Sequence, residues 1–182
     1  MKFSYTQVFL MAWIVAFWSY HFSTYGRFEG KHERSVRSKY GFRAKWAPFF
    51  GLTFFAWTGL IITYFFNYNS SDWIWKFSFL DRRPVKIVAV GLLGAAFLLY
   101  VLFTATVGRS IRSAVSKGGK PELITAGIYR FARHPAYLCF LIFGTGVFLI
   151  IPNVIALALC LYTWIVTWGH SVEEDRKLLA MY

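Results

Sequence analysis

Three long and nearly uncharged runs constrain this chain more than any other feature: Phe3 to Phe22, Ala47 to Trp75 and Ile87 to Gly108. Each holds enough residues to cross a hydrocarbon core of ~30 Å as a helix. A fourth apolar block, Ala136 to Gly169, is too long for one span and is broken by Pro152-Asn153, a pair that disfavours a continuing helix and favours a turn. It reads as a hairpin of two helices with arms of roughly 16 residues, or ~24 Å, so its turn needs neighbouring protein or local thinning of the bilayer to cover it. Composition agrees. With 57% hydrophobic and 15% charged residues, 182 residues carry too little polar surface for a soluble globule. The expected fold is all-α: a polytopic integral membrane protein with five transmembrane helices, the last two forming the hairpin.

Lys and Arg set the orientation. Five spans put the loop from Gly26 to Trp46, the loop from Arg109 to Arg133 and the C-terminus on one side, and both loops are rich in Lys and Arg. The opposite side carries only Lys2, Lys76, Arg82, Arg83 and, at a helix edge, Lys86. The positive-inside rule then places both basic loops and the C-terminus in the cytoplasm and the N-terminus outside. A net charge of +12 invites nucleic acid, but these charges flank membrane spans, where anionic headgroups are the nearer partner. Membrane lipids are expected as partners and nucleic acid is not.

The first run lacks a small-residue cleavage site and reads as a retained helix. Tyr5, Trp13, Trp18, Tyr20 and Tyr25 fit helix ends and interface belts. The charges at Arg27, Lys31 and Arg34 suit either a surface amphipathic helix or a solvated loop. Asn69-Ser70-Ser71 fits a glycosylation acceptor, with no further support. In Lys117-Gly118-Gly119-Lys120-Pro121 a phosphate-loop reading fails, because Pro121 stands where Ser or Thr is needed and the upstream spacing is wrong. Cys139 and Cys160 fall in opposite arms of the hairpin at depths differing by roughly 9 Å, too far for a disulfide, and read as buried thiols. Gly91 and Gly94 lack the four-residue spacing of a helix-dimer face and imply ordinary bundle packing. No internal repeat appears, so residues 1–182 form a single membrane domain, with helices and loops over 1–107 and a polar loop, hairpin and C-terminal helix over 108–182.

Two polar islands carry the chemistry. Tyr129, Arg130, Arg133, His134 and Tyr137 gather where the hairpin enters lipid, and His170, Glu173, Glu174 and Asp175 stand where it leaves. Arg and Tyr at a membrane entry are ordinary anchors when taken alone. A helical hairpin, however, brings its open ends together, so cations and aromatics meet carboxylates in one cytoplasmic pocket. His170 and Glu174 share a helix face at i,i+4; Glu173 and Lys177 share another, where a surface ion pair is the simpler reading. These groups suit a zwitterionic amino acid joined to a flat base: donors for a carboxylate, a carboxylate for an ammonium, and rings for a purine. The reaction itself is not legible from them.

The ordered set Leu123-Ile124-Thr125-Ala126-Gly127-Ile128-Tyr129, Arg133-His134-Pro135-Ala136-Tyr137, Pro152-Asn153, Glu173-Glu174 and Leu178-Leu179 resembles isoprenylcysteine carboxyl methyltransferases and related phospholipid methyltransferases over roughly the last 60 residues. The resemblance implies S-adenosylmethionine as cofactor and a lipophilic substrate, such as a prenylated protein or peptide, entering from the bilayer. Carried over by position, Pro121, Glu122, Leu123, Ile124, Tyr129, His134, Pro135, Ala136, Tyr137 and Glu174 would line the cofactor, with His134 toward its carboxylate, Glu174 toward its ammonium and the tyrosines over its adenosine. His170, Glu173 and Arg133 are the implied catalytic residues. No metal is expected.

The expected reaction is methyl transfer to a prenylcysteine α-carboxylate, which arrives ionised and needs no base. A phospholipid amine is the alternative, and then His170 or Glu173 must take a proton. Similar prenylcysteine enzymes have Arg where His170 stands, a permanent cation in place of a titrating one. They also continue past the position of Tyr182, so either further chain follows or the pocket has less cover. Two other classes are alternatives: an NADPH-dependent sterol-type reductase, disfavoured because Glu173-Glu174 suits an ammonium better than a 2′-phosphate, and a non-enzymatic scaffold.

Overall fold

A computed structural model describes residues 4–28, 47–66, 75–116 and 125–181. Among the described residues the protein is all-helical: α1 (Tyr5–Phe28), α2 (Ala47–Phe66), α3 (Arg83–Ser116), one 3₁₀ turn (Gly127–Arg130), α4 (Pro135–Ile150) and α5 (Val154–Met181). Two stretches, Arg83–Gly108 and Val154–Arg176, are long and apolar enough to cross a membrane, and Gly51–Phe66 and Pro135–Ile150 are shorter apolar helices. Large apolar side chains face outward, among them Phe55, Leu98, Ile165 and Trp168, as a lipid-facing surface requires. The basic segment 29–46, the Asn69 acceptor and the Gly-Gly-Lys segment lie outside the described residues.

The hairpin forms as its sequence dictates. α4 starts at Pro135, where a missing N–H costs nothing, and ends before Pro152. Asn153 then caps α5, its Oδ1 accepting the Ala156 N–H at 2.8 Å. The turn is covered by protein: the Phe77 N–H donates to the Pro152 carbonyl at 2.8 Å and the Val154 N–H to the Trp75 carbonyl at 3.1 Å. This bridge satisfies backbone groups that hydrocarbon could not. Asn153→Ala is expected to lower stability by ~1 kcal/mol, the usual worth of such a cap, readable as a lower melting temperature in detergent.

Two elements outrun their expected ends. α3 continues past Gly108 to Ser116, because no helix breaker occurs before Gly118. α5 continues beyond Gly169 to Met181 and so carries the whole acidic run on one rigid element.

α4 lies along α3 and α5, while α2 packs on α1 and α5. Close approach of α4 to α3 depends on Gly146, where a Cβ would stand 2.9 Å from Leu93 Cγ and 3.3 Å from the Ala89 carbonyl oxygen. Gly91 and Gly94 have open space around them, so they are not packing glycines. Trp13 is no belt residue: it is buried, stacks on Phe143 at 4.8 Å and donates its indole N–H to the Leu93 carbonyl at 2.9 Å. Trp57 likewise ties α2 to α5 through Thr163 Oγ1 at 2.9 Å. Gln7 donates to the Tyr64 and Phe65 carbonyls in the last turn of α2, tying α1 to that end. Cys139 and Cys160 are buried free thiols, as expected from their depths.

Candidate active site

The open ends of the hairpin meet. His134 sits at the N-cap of α4, and Tyr137 one turn on stacks against it with centroids 5.1 Å apart. From α5, His170, Glu174 and Asp175 face them. The Tyr137 hydroxyl donates to Glu174 Oε2 at 2.6 Å and lies 2.7 Å from His170 Nδ1. With its proton on Glu174, that hydroxyl can only accept from His170, which assigns the His170 proton to Nδ1.

His134 Nδ1 lies 3.2 Å from Glu174 Oε2 and Nε2 lies 2.9 Å from Asp175 Oδ1. Two ring nitrogens facing two carboxylates are satisfied together only when both donate, as in the imidazolium. Asp175 is thus a partner of His134; the sequence placed it in the acidic run at the pocket but gave it no role toward cofactor or substrate. The signal was present: adjacent carboxylates on a helix can straddle one ring.

Tyr129 is held on the 3₁₀ turn against Phe103 of α3, centroids 6.5 Å apart. Burial, with a smaller contribution from the Glu174 charge, pushes its phenol up to about 12, so it stays protonated across the physiological range. The turn docks through Gly127, whose φ of 64° disfavours any side chain and whose Cβ would stand 2.9 Å from Thr106 Oγ1. Gly127→Ala is expected to cost ~2 kcal/mol by combining left-handed strain with that clash. Adding Thr106→Ala should recover only the clash, so thermal melts of the two variants separate the causes.

The remaining predicted residues fall into three groups. Pro135 is buried and Ala136 half-buried in the first turn of α4, shaping the site without polar contact. Glu173 is half-buried beside Glu174, while Arg130 and Arg133 are exposed and form no ion pair among the described residues. Pro121, Glu122, Leu123 and Ile124 lie outside the described residues, as does the Lys177 side chain.

A groove of about 620 Å³ runs from this network along the hairpin. Leu138 and Leu141 of α4 and Leu161, Trp164, Ile165 and Trp168 of α5 form its walls; His134, Tyr137, Thr167 and Ser171 form its polar end. Trp164 and Trp168 are more than half exposed, so the groove opens onto the outward apolar surface. An amphiphile with a polar head at the network and a hydrocarbon tail along the groove matches this shape.

Glu174 and Asp175 keep 28% and 45% of their side-chain surface exposed while His134 fixes their positions, so they suit a cationic group. Tyr129, Tyr137 and His134 offer flat faces for a heterocycle. Both nitrogens of His134 already face carboxylates, so a ligand carboxylate has to be met by other donors or by rearrangement.

A family model described as the isoprenylcysteine carboxyl methyltransferase family matches residues 87–180, more than half of the chain. No curated protein and no solved structure matches.

Proposed function

The chain belongs to the isoprenylcysteine carboxyl methyltransferase family, and from that premise we propose that it methylates the α-carboxylate of a prenylated cysteine at the cytoplasmic face of a membrane, using S-adenosylmethionine. The observation that carries this reading is the Tyr137–Glu174–His134–Asp175 network standing at the polar end of an outward-opening apolar groove. Five membrane crossings with the N-terminus outside complete the proposal, on the strength of the Lys and Arg distribution.

When bound, S-adenosylmethionine supplies an electrophilic methyl group on a sulfonium sulfur. Glu174 and Asp175 would hold its ammonium, Tyr129 and Tyr137 its adenosine, and the segment Pro121 to Ile124 its remaining cover. The protein's task is alignment and exclusion of water, since a carboxylate acceptor brings its own charge. His170, one turn deeper than Glu174, would face that carboxylate, with Tyr137 fixing its ring. Arg133 and Glu173 stand near enough in sequence to assist at the rim. The groove walls would take the isoprenoid.

One observation favours a second acceptor. The His170–Tyr137–Glu174 hydrogen bonds form a path along which a proton can leave an amine, as N-methylation of a phospholipid headgroup requires. The reductase reading gains nothing from two carboxylates, which repel a 2′-phosphate. Titrating detergent-solubilised protein with S-adenosylhomocysteine and with NADPH tests the cofactor. Micromolar binding of the first alone is expected; binding of NADPH alone contradicts the proposal.

A further inference from the structure

Threonines within these helices almost all return their hydroxyls to the backbone. Thr24, Thr53, Thr58, Thr63, Thr104, Thr106, Thr145 and Thr163 each donate to the carbonyl four residues earlier. Thr167 does not. It is 3% exposed, its Oγ1 is buried, and it has no hydrogen-bond partner among the described residues. Leaving a buried hydroxyl unbonded is costly when a carbonyl of its own helix is within reach, and such exceptions ask for a functional cause. Thr167 also lines the groove, at the border between its polar end and its apolar walls.

Its level on α5 says what it would meet. His170 lies one turn, ~4.5 Å, toward the cytoplasm, and Trp164 lies the same distance deeper. Imidazole, hydroxyl and apolar wall therefore follow one another along the helix. A prenylated cysteine at a chain end presents its groups in the same order: carboxylate, then the α-carbon with its amide and thioether, then hydrocarbon. A thioether is a weak acceptor, whereas an amide both donates and accepts strongly, so of the two groups at that level the amide satisfies the hydroxyl.

We propose that Thr167 is a specificity-determining residue that hydrogen-bonds an amide carried beside the methyl-accepting carboxylate, so that the protein selects acylated or peptidyl prenylcysteine over the same carboxylate without the amide. This rests on the methyl-transfer reading above for the orientation of the ligand.

The probes are N-acetyl-S-farnesylcysteine and the same molecule with its acetamido group replaced by hydrogen. Binding is followed by intrinsic tryptophan fluorescence and methyl transfer is followed separately, in wild type, Thr167→Val and Thr167→Ser. Wild type should favour the amide probe by about tenfold in affinity, valine should reduce that preference below about twofold, and serine should restore most of it. A merely structural role would weaken both probes equally and leave their ratio intact. Thr167→Ala gives the same ratio readout if the valine variant does not fold. An unchanged ratio in the valine or alanine variant overturns the proposal, as does equal or absent binding of the probes to wild type. A threonine-dependent ratio without methyl transfer supports the hydrogen bond and sinks the methyl-transfer reading instead.

Discussion

Glu174→Gln is expected to weaken S-adenosylhomocysteine binding by ~100-fold, corresponding to ~3 kcal/mol, and to reduce methyl transfer at least as much. Glutamine keeps an oxygen for the Tyr137 hydroxyl, so the local structure should survive while the charge is lost. The carboxylate sits between Tyr137 and His134, and its removal leaves His134 with Asp175 as its remaining carboxylate. Asp175 is the more exposed of the two, so Asp175→Asn should cost no more than ~10-fold. Calorimetric titration of both variants checks the ranking. Equal and small losses would mean that the carboxylates hold His134 and not the ligand.

Gly146→Val should be the most damaging single change outside the site. Its Cβ position is already 3.2 Å from Leu93 Cδ2 as well as close to Leu93 Cγ and the Ala89 backbone, and Leu93 and Ala89 are fully buried. Backbone cannot swing aside as a flexible side chain can, so α4 has to move away from α3. That shift also strains the Trp13 hydrogen bond to the Leu93 carbonyl. A loss of ~3 kcal/mol is expected, with a fall in melting temperature on the order of 10 °C in detergent. Gly91→Ala is the matched control: nothing lies within 4 Å of its Cβ position, and the change should be neutral or mildly stabilising.

The contrast between these glycines shows where sequence reasoning stopped. Composition and run length suffice to see helices, and Pro152-Asn153 suffices to see a hairpin, because both signals are local. Joining the two polar islands needed only the fact that a hairpin's open ends meet. Which glycine lies at a helix contact depends on the rotation of α4 against α3, and no local pattern records that. Trp13 was misread for the same reason: a tryptophan that donates to a neighbouring helix and one that sits in a headgroup belt look alike until the neighbour is in place. Asp175 was visible as part of the acidic run, but its pairing with the second nitrogen of His134 required the ring's orientation. The docking of Gly127 on Thr106 is likewise a tertiary contact. At the site itself, His134, Tyr137, His170 and Glu174 were all named from sequence and come together in one network.

In the proposed function, this network and its groove serve methyl transfer to a prenylcysteine carboxylate. The most direct test supplies the solubilised protein with S-adenosylmethionine labelled in the methyl group and offers a farnesylcysteine analogue and phosphatidylethanolamine in parallel. Label is expected in the farnesylcysteine product as a base-labile methyl ester, and none in the phospholipid. Base-stable label in phosphatidylethanolamine, or no transfer to either acceptor while S-adenosylhomocysteine binds, would contradict that function.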